Sequence, residues 1–122
     1  DTMLRLATER DELKVVNDQI GSPTSTTSIS KAVVNLLHNM PDSGIYHFRS
    51  LNHCSWYDYA KYVFEKQAVG TTLTPVPSSE FETKAVRPKN SILNIGKWIY
   101  TDLYTPLNWQ RDVDGYLESL SN

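Results

Sequence analysis

Cysteine and long apolar runs are nearly absent, and both shortages limit what the protein can be. Cys54 is the one cysteine among 122 residues, so the chain cannot form an internal disulfide. No apolar run reaches the roughly 20 residues that a membrane-spanning helix needs, and no segment has the pattern of a signal peptide. The sequence therefore predicts a protein of the reducing cytoplasm that has no membrane partner.

An excess of positive charge is also missing. Twelve Lys and Arg face 14 Asp and Glu, which gives a formal net charge of -2. Proteins that bind nucleic acid usually carry a basic face that neutralises phosphates, whereas the positive charges are scattered along this chain. We therefore expect no nucleic-acid partner, and we expect any basic side chain that matters to act singly.

The few glycines and histidines are too dispersed for cofactor or metal binding. A dinucleotide-binding turn needs closely spaced glycines, but the five here are widely separated: Gly21, Gly44, Gly70, Gly96 and Gly115. A zinc module needs closely spaced ligands, and the available ones fall on a helix end, a strand and a turn: His38, His47, His53 and Cys54. The sequence predicts no cofactor-binding residue and no metal site.

Strands and helices alternate in the first half of the chain, which predicts an α/β fold. Residues 13–16 form a strand, and a polar loop then leads to Thr26 or Thr27, either of which can cap a helix that ends near Asn39. The apolar face of that helix consists of Ile29, Val33, Leu36 and Leu37. A second strand is predicted at residues 45–48, which are rich in strand formers.

The second half continues the alternation. Ser55 and Asp58 have the spacing of a capping box, which predicts a helix that reaches about Gln67 and is stopped by Gly70. The remaining predictions are a strand at 71–76, a helical turn at 78–83, an extended arm at 86–93, a small helix capped by Asn94, and a last helix opened by Pro106 and Asn108. Three tryptophans fall on apolar helical faces and are expected to anchor the core: Trp56, Trp98 and Trp109.

Three short strands make a small sheet for about four helices, so the sheet is expected to be incomplete. The strand at 45–48 would then expose unpaired backbone groups, and such an edge favours pairing with another chain. We expect a homodimer or a strand exchange through this edge. The apolar segment at residues 2–10 has no cap upstream, so its helix is expected to begin outside the chain; a frayed terminal helix is the alternative.

Four blocks carry a resemblance to a known family. They are LKVVNDQIGSPT at residues 13–24, GIYHF at 44–48, CSWYDYAKYVF at 54–64 and RPKNSILN at 87–94. In this order and spacing they resemble the C-terminal half of dTDP-4-dehydrorhamnose reductases, which are NADPH-dependent extended short-chain dehydrogenases of the Rossmann type. The resemblance covers residues 3–120, nearly the whole chain.

The resemblance implies a division of labour. Residues 1–122 would form one substrate-binding domain for a dTDP-sugar, in which the 44–48 strand joins the sheet of an N-terminal nucleotide-binding half that this chain lacks. The absent half would hold NADPH or NADH and the catalytic Tyr and Lys. This chain alone is therefore expected to bind no cofactor and to be inactive.

Tyr followed four positions later by Lys is the catalytic spacing of short-chain dehydrogenases, because the lysine lowers the pKa of the phenol that transfers a proton. The chain contains this spacing twice, as Tyr57 with Lys61 and Tyr62 with Lys66. Two residue types at one spacing form a weak pattern, and the family places this helix in the substrate lobe. No catalytic residue is therefore predicted.

The polar loop after the first strand is the first candidate for ligand contact. Gln19, Ser22 and Thr24 offer amide and hydroxyl groups that suit sugar or phosphate oxygens, and Gly21 permits a close backbone approach. Alternatively, the two hydroxyls only tie the turn together and Gln19 is solvated. The family usually has an aromatic residue where this chain has Ser25, so stacking on a sugar or base is not expected there.

Arg87 is the second candidate, because a guanidinium can hold a phosphate through two parallel hydrogen bonds and Pro88 stiffens the arm that presents it. Related nucleotide-sugar enzymes use an arginine of this lobe on the diphosphate. The alternative is a surface ion pair with Glu80 or Glu82. Ser91 continues the arm as a weaker candidate.

Three other functions stay open at this stage. Some relatives of these reductases are non-catalytic regulatory subunits, and the Tyr and Lys of the other half would decide this. The chain could also be the equivalent lobe of another nucleotide-sugar epimerase or reductase. Lastly, a free-standing α/β module could bind a nucleotide by itself.

Overall fold

The computed structural model describes residues 2–81 and 85–120, and it confirms the α/β class. Within these residues there are five α-helices, four strands and one 3-10 turn. Their bounds are α1 Thr2–Glu9, β1 Glu12–Val16, β2 Ile20–Gly21, α2 Thr26–Asn39, β3 Cys54–Ser55, α3 Trp56–Lys66, β4 Thr72–Val76, the 3-10 turn Ser78–Glu80, α4 Gly96–Thr101 and α5 Trp109–Leu120.

The chain forms two compact units, and the first consists of Asp1–Gly21 and Cys54–Ser91. In this unit β1 and β4 pair in parallel, with Leu13 opposite Leu73 and Val16 opposite Val76. Helix α3 packs against both strands. The alternation of β1 buries every second side chain, and the buried apolar residues of the unit are Leu13, Val15, Cys54, Ala60, Val63, Phe64 and Val76.

The capping box predicted for α3 is confirmed. The backbone N–H of Asp58 donates to Ser55 Oγ at 3.0 Å, and the N–H of Ser55 donates to Asp58 Oδ2, also at 3.0 Å. The helix also ends where it was predicted to end, since Gln67 is its C-cap, but the left-handed backbone conformation that follows belongs to Ala68, at φ 49. Gly70 therefore does not stop this helix.

Replacing Ser55 by alanine is expected to lower the free energy of unfolding by about 1 kcal/mol, because the first turn of α3 loses its side-chain acceptor. Hydrogen bonds from Ser55 also hold the pKa of Asp58 below its ordinary value, so this stabilisation is present at neutral pH and is lost as the pH falls through the native pKa. Urea unfolding at two pH values measures both effects. The exposed Ser79 is the control, and equal effects of Ser55→Ala and Ser79→Ala would contradict the assignment.

The second unit consists of Ser22–His53 and Ile92–Asn122 and contains α2, α4 and α5. Its core holds Trp98, which is 3% exposed, and the indole Nε1 donates to the carbonyl oxygen of Tyr104 at 2.8 Å. The Phe48 ring meets the Trp98 ring edge-on at 5.0 Å between centroids. Other residues of this cluster are Ala32, Leu36, Tyr46, Leu51, Ile95, Leu103 and Tyr104.

The predicted strand at 45–48 is wrong. Within the described residues this segment has no strand assignment and no strand partner, and its side chains contact neighbours of the second unit instead. The ammonium of Lys97 lies 4.1 Å from the centroid of the Tyr46 ring, and the Tyr46 hydroxyl donates to the Asp42 carbonyl. The expected homodimer or strand exchange through this segment stays a prediction.

Helix α2 also differs from its prediction. Ser25, and not Thr26 or Thr27, is the N-cap, and its side chain accepts from the N–H of Ser28. The predicted apolar face is largely open, since Ile29 is 44% exposed and Leu37 is 61% exposed, while the small side chains of Ser28 and Ala32 are buried.

The tryptophan predictions are confirmed at two positions of three. Trp98 and Trp109 are buried, whereas Trp56 is 51% exposed. Trp56 begins α3 directly after the Ser55 cap, and its ring meets the Tyr59 ring edge-on, with 6.1 Å between the centroids. At the first position of the helix, this side chain contacts the helix surface without entering the core of the first unit.

Candidate functional site

The candidate loop of the first unit is organised by the short strand β2. Ile20 and Gly21 pair antiparallel with Ser55 and Cys54, and a parallel bridge joins Ile20 to Asn90 on the predicted arm. The arm is thus held against β2 by backbone bonds. The sequence identified both segments as candidates but not their pairing.

Gln19 precedes this strand and keeps its amide available. Its side chain is half-buried, and no hydrogen bond joins it to another described residue. The loop before it is fixed by Asp18, whose carboxylate accepts from the N–H and the hydroxyl of Ser78, each at 2.9 Å. Desolvation raises the pKa of Asp18. The hydrogen bonds from Ser78 and the charge of Lys89 lower it by more, so the net shift is downward.

Arg87 lies on the arm of the first unit and is exposed. Among the described residues it makes no ion pair, including none with Glu80; Glu82 lies outside the described residues. Its guanidinium can therefore reach a ligand without first breaking a bond to a described side chain. Ser91 ends the arm, and its hydroxyl donates to the Ile20 carbonyl oxygen at 3.2 Å.

Ser22 and Thr24 belong to the second unit, where both hydroxyls bind main chain. The Ser22 hydroxyl lies 2.7 Å from the Ser50 carbonyl oxygen and can donate to it. Thr24 Oγ1 donates to the Ser22 carbonyl at 3.0 Å and accepts from the Ser50 N–H at 3.0 Å. These contacts tie the turn together, and each hydroxyl keeps at least one lone pair that could accept from a ligand.

Arg49 is a residue that the sequence analysis missed. In the second unit its Nε donates to the Leu93 carbonyl at 2.8 Å, and its Nη1 donates to the Ser50 carbonyl at 2.7 Å. The guanidinium therefore joins two segments that are far apart in the sequence. No motif around position 49 indicated this role.

Asp112 is the second missed residue, and it is buried on α5. One carboxylate oxygen accepts from Ser25 Oγ at 3.0 Å and from Ser28 Oγ at 2.5 Å. The other accepts from the Ser25 N–H at 3.1 Å and from Ser50 Oγ. The sequence did contain a signal that Asp112 is buried, because position 112 lies three residues after Trp109 and therefore on the same face of the helix.

Both Tyr–Lys pairs of α3 lie in the first unit. Lys66 Nζ lies 5.3 Å from the centroid of the Tyr62 ring, in a cation–π contact. Tyr57 is half-buried and Lys61 is exposed. The expectation that no catalytic residue lies here stays a prediction.

The described residues contain no group of three or more His, Cys, Asp or Glu side chains that could hold a metal ion. Cys54 is buried in the first unit, and burial, followed by the charge of Asp58, raises the pKa of its thiol to about 12. A thiol that stays protonated is a poor nucleophile.

Among the described residues, no helix combines the length and the apolar character needed to cross a bilayer.

The described residues also do not fit a dinucleotide. A nicotinamide cofactor places its diphosphate at a glycine-rich turn between a strand and a helix. In this chain β1 is followed by a loop whose one glycine, Gly21, lies within β2. No reaction step is therefore assigned to a cofactor held by these residues.

Comparison with known proteins shows where this arrangement recurs. The family model described as the RmlD substrate binding domain matches residues 1–122. The spore coat polysaccharide biosynthesis protein SpsK of Bacillus subtilis (strain 168) is 37% identical over 122 residues, which cover 100% of this chain and 42% of that protein. The dTDP-4-dehydrorhamnose reductase of Escherichia coli (strain K12) is 37% identical over 129 residues, which cover 98% of this chain and 43% of that protein.

A solved structure is similar as well. The dTDP-4-dehydrorhamnose reductase of Bacillus anthracis in complex with NADP superimposes with a TM-score of 0.90 at 32% identity, covering 97% of this chain and 42% of that one. The chain thus spans less than half the length of the curated relatives that it matches.

Proposed function

Because the chain belongs to the RmlD substrate-binding domain family, we propose that residues 1–122 are the nucleotide-sugar-binding domain of a dTDP-4-dehydrorhamnose reductase. The intact enzyme reduces the 4-keto group of dTDP-4-dehydro-L-rhamnose to give dTDP-L-rhamnose, with NADPH or NADH as reductant. The name of the Bacillus subtilis relative supports a role of the product in polysaccharide synthesis. A non-catalytic regulatory protein is not proposed, because the Escherichia coli relative is a reductase.

The observation that carries this proposal is the position of Arg87, which is exposed on an arm that backbone bonds hold against β2. A planar guanidinium matches two phosphate oxygens at once, and Arg87 is exposed without an ion pair among the described residues. In our proposal it binds the diphosphate of the dTDP-sugar. Gln19, whose amide has no partner in the described part of the first unit, binds a sugar or base oxygen.

The other candidate residues shape the loop and supply weaker contacts. Ser22 and Thr24 use their hydroxyl protons on main-chain oxygens, so toward a ligand they act as acceptors. Gly21 and Ser91 lie at the contact between β2 and the arm. This assignment makes Arg87 the largest single contribution to binding from this domain.

The reductant and the acid come from elsewhere in the intact enzyme. We propose that the remaining length, which corresponds to an N-terminal nucleotide-binding half of the longer relatives, is the partner of this domain. That half holds NADPH or NADH together with the proton donor. Residues of this chain hold the sugar in place, so that its carbonyl lies within range of the hydride.

Replacing Arg87 by alanine in the intact enzyme is expected to raise the KM for the nucleotide sugar about 10- to 100-fold. A hydrogen bond to a charged group is worth roughly 1.5 to 3 kcal/mol, and each 1.4 kcal/mol is about tenfold in affinity. Because the diphosphate does not react, kcat should change little. Steady-state kinetics, with calorimetry of dTDP as a second measurement, test this.

The exposed Arg111 of α5 is the matched control, since Arg111→Ala removes the same charge. Arg111→Ala should leave KM within about twofold of the parent value, because the proposal gives Arg111 no contact with the nucleotide sugar and salt screens an exposed charge. If Arg87→Ala leaves both KM and the dTDP affinity unchanged, the proposed role of Arg87 fails.

A further inference from the structure

Three hydrogen bonds to one residue of β2 hold the arm of the first unit in place. The N–H of Ile20 donates to the Lys89 carbonyl at 2.8 Å, and the Ile20 carbonyl accepts from the N–H of Ser91 at 3.0 Å. The Ser91 hydroxyl adds a third bond to the same carbonyl at 3.2 Å. Both backbone groups of Ile20 are thus occupied by the arm.

Gly21 approaches the arm closely, which leaves little room for a side chain at this position. Its backbone conformation does not call for glycine, because among the described glycines only Gly44 has a φ in the left-handed region. A Cβ atom at position 21 would lie 3.1 Å from Ser91 Oγ, and no other atom beyond its chain neighbours would lie within 4 Å of it. A side chain here would push against the hydroxyl that fastens the arm.

Arg87 is tied closely to this fastening. Pro88 alone separates it from Lys89, and the proline ring restricts the backbone between them. The fastened part of the arm begins at Lys89, two residues after Arg87. The bonds to Ile20 therefore help to set where the backbone of Arg87 lies, and so the region that its side chain can reach.

We propose that Gly21 and Ser91 are positioning residues that set the place of Arg87 for the diphosphate, an inference that rests on the proposed function. Ser91 does not act as a donor to the ligand, because its one hydroxyl proton is used on the Ile20 carbonyl. Gly21 acts by leaving room for that hydroxyl. Both residues thus act through Arg87.

A set of variants in the intact enzyme tests this, with dTDP as the probe in calorimetry. Gly21→Ala is expected to weaken dTDP binding about three- to tenfold, because the arm must shift or Ser91 must turn away. Ser91→Ala removes the obstructing oxygen and should weaken binding about twofold. The Gly21→Ala and Ser91→Ala double variant should bind as Ser91→Ala does, since contacting residues couple strongly. This rescue is not expected from a general loss of stability.

Each variant is repeated on an Arg87→Ala background, where Gly21→Ala should change dTDP binding by less than about twofold. Equal effects on both backgrounds would overturn the inference, because Gly21 would then act without Arg87. Normal binding by Gly21→Ala, with weak binding by Arg87→Ala, would overturn it while the proposed function stands.

The remaining outcomes are also decisive. If Arg87→Ala binds dTDP normally, the proposed role of Arg87 fails and the inference fails with it. If Gly21→Ala does not fold, Ser91→Ala alone tests the inference. Its twofold loss of dTDP affinity should be seen in the enzyme that has Arg87 and should be absent on the Arg87→Ala background. A loss that persists on the Arg87→Ala background would overturn the proposal.

Discussion

Replacing Asp112 by alanine is expected to lower the free energy of unfolding by about 3 kcal/mol or more. The Asp112 side chain is 5% exposed, and it accepts from the hydroxyls of Ser25, Ser28 and Ser50 and from the N–H of Ser25. Removing the carboxylate leaves four donors without a partner in a buried site, and each such loss costs about 1 to 3 kcal/mol when water cannot replace the acceptor.

Thermal unfolding of the protein measures this effect. A loss of 3 kcal/mol should lower Tm by roughly 10 °C for a chain of this size. Asp112→Asn keeps the shape but turns an acceptor into a donor that faces hydroxyls, so it should also destabilise strongly. Asp42→Asn, at an exposed position of the same unit, is the control. A change below about 1 kcal/mol for Asp112→Ala would show that the cluster does not stabilise the unit.

The same cluster predicts a pH dependence. Burial by itself raises the pKa of Asp112, but hydrogen bonds from Ser28, Ser50 and Ser25 outweigh burial and lower the pKa below its ordinary value. In the unfolded chain the pKa of aspartate is about 3.9. The stabilisation is therefore complete above that pH, and it is lost as the pH falls through the lower pKa of the native state. The parent protein should therefore lose more stability than Asp112→Ala between about pH 5 and pH 3.

Sequence signals that act over a few residues predicted the structure well. Ser55 and Asp58 are three positions apart, so their reciprocal bonds depend on one turn of backbone, and the predicted box was confirmed. The alternation at residues 13–16 likewise gave β1, in which Leu13 and Val15 are buried. A capping box and a strand alternation depend mainly on residues within the pattern itself, so the sequence alone predicts them.

Contacts between distant segments could not be predicted in this way. The bonds of Asp112 reach across 62 to 87 positions of sequence, and nothing near position 112 names Ser25 or Ser50 as partners. At residues 45–48 a strand was predicted from local composition and is not present among the described strands. Strand formers give a strand only when another strand lies beside them. In this structure Phe48 packs on Trp98 instead.

The same difference between local and distant contacts applies to the candidate site, whose residues the sequence names without their contacts. The motifs pointed to Gln19 and Arg87 as individual residues, and both keep polar groups that are free of other described residues. The sequence could not tell that Ser22 and Thr24 are engaged with main chain, nor that Gly21 faces the Ser91 hydroxyl. Those facts depend on which backbones meet, and so they required the fold.

The purified 122-residue chain is expected to show no oxidation of NADPH in the presence of dTDP-4-dehydro-L-rhamnose. Hydride transfer needs the nicotinamide and the carbonyl held together, and this positioning supplies about 7 to 11 kcal/mol of the barrier reduction in well-oriented systems. The described residues provide no glycine-rich turn for the dinucleotide. Turnover should therefore fall below detection in the chain and be present in the intact enzyme, as measured by NADPH absorbance.

Two tyrosine variants of the intact enzyme make this expectation specific to the residues of α3. The sequence predicts no proton donor on α3, and the Lys66 ammonium lies 5.3 Å from the centroid of the Tyr62 ring. Tyr57→Phe and Tyr62→Phe should each keep kcat within about threefold of the parent, whereas losing a general acid typically costs about 100-fold or more. Carbonyl reduction by the 122-residue chain, abolished by either substitution, would instead place the proton donor on α3 and assign the chemistry to this domain.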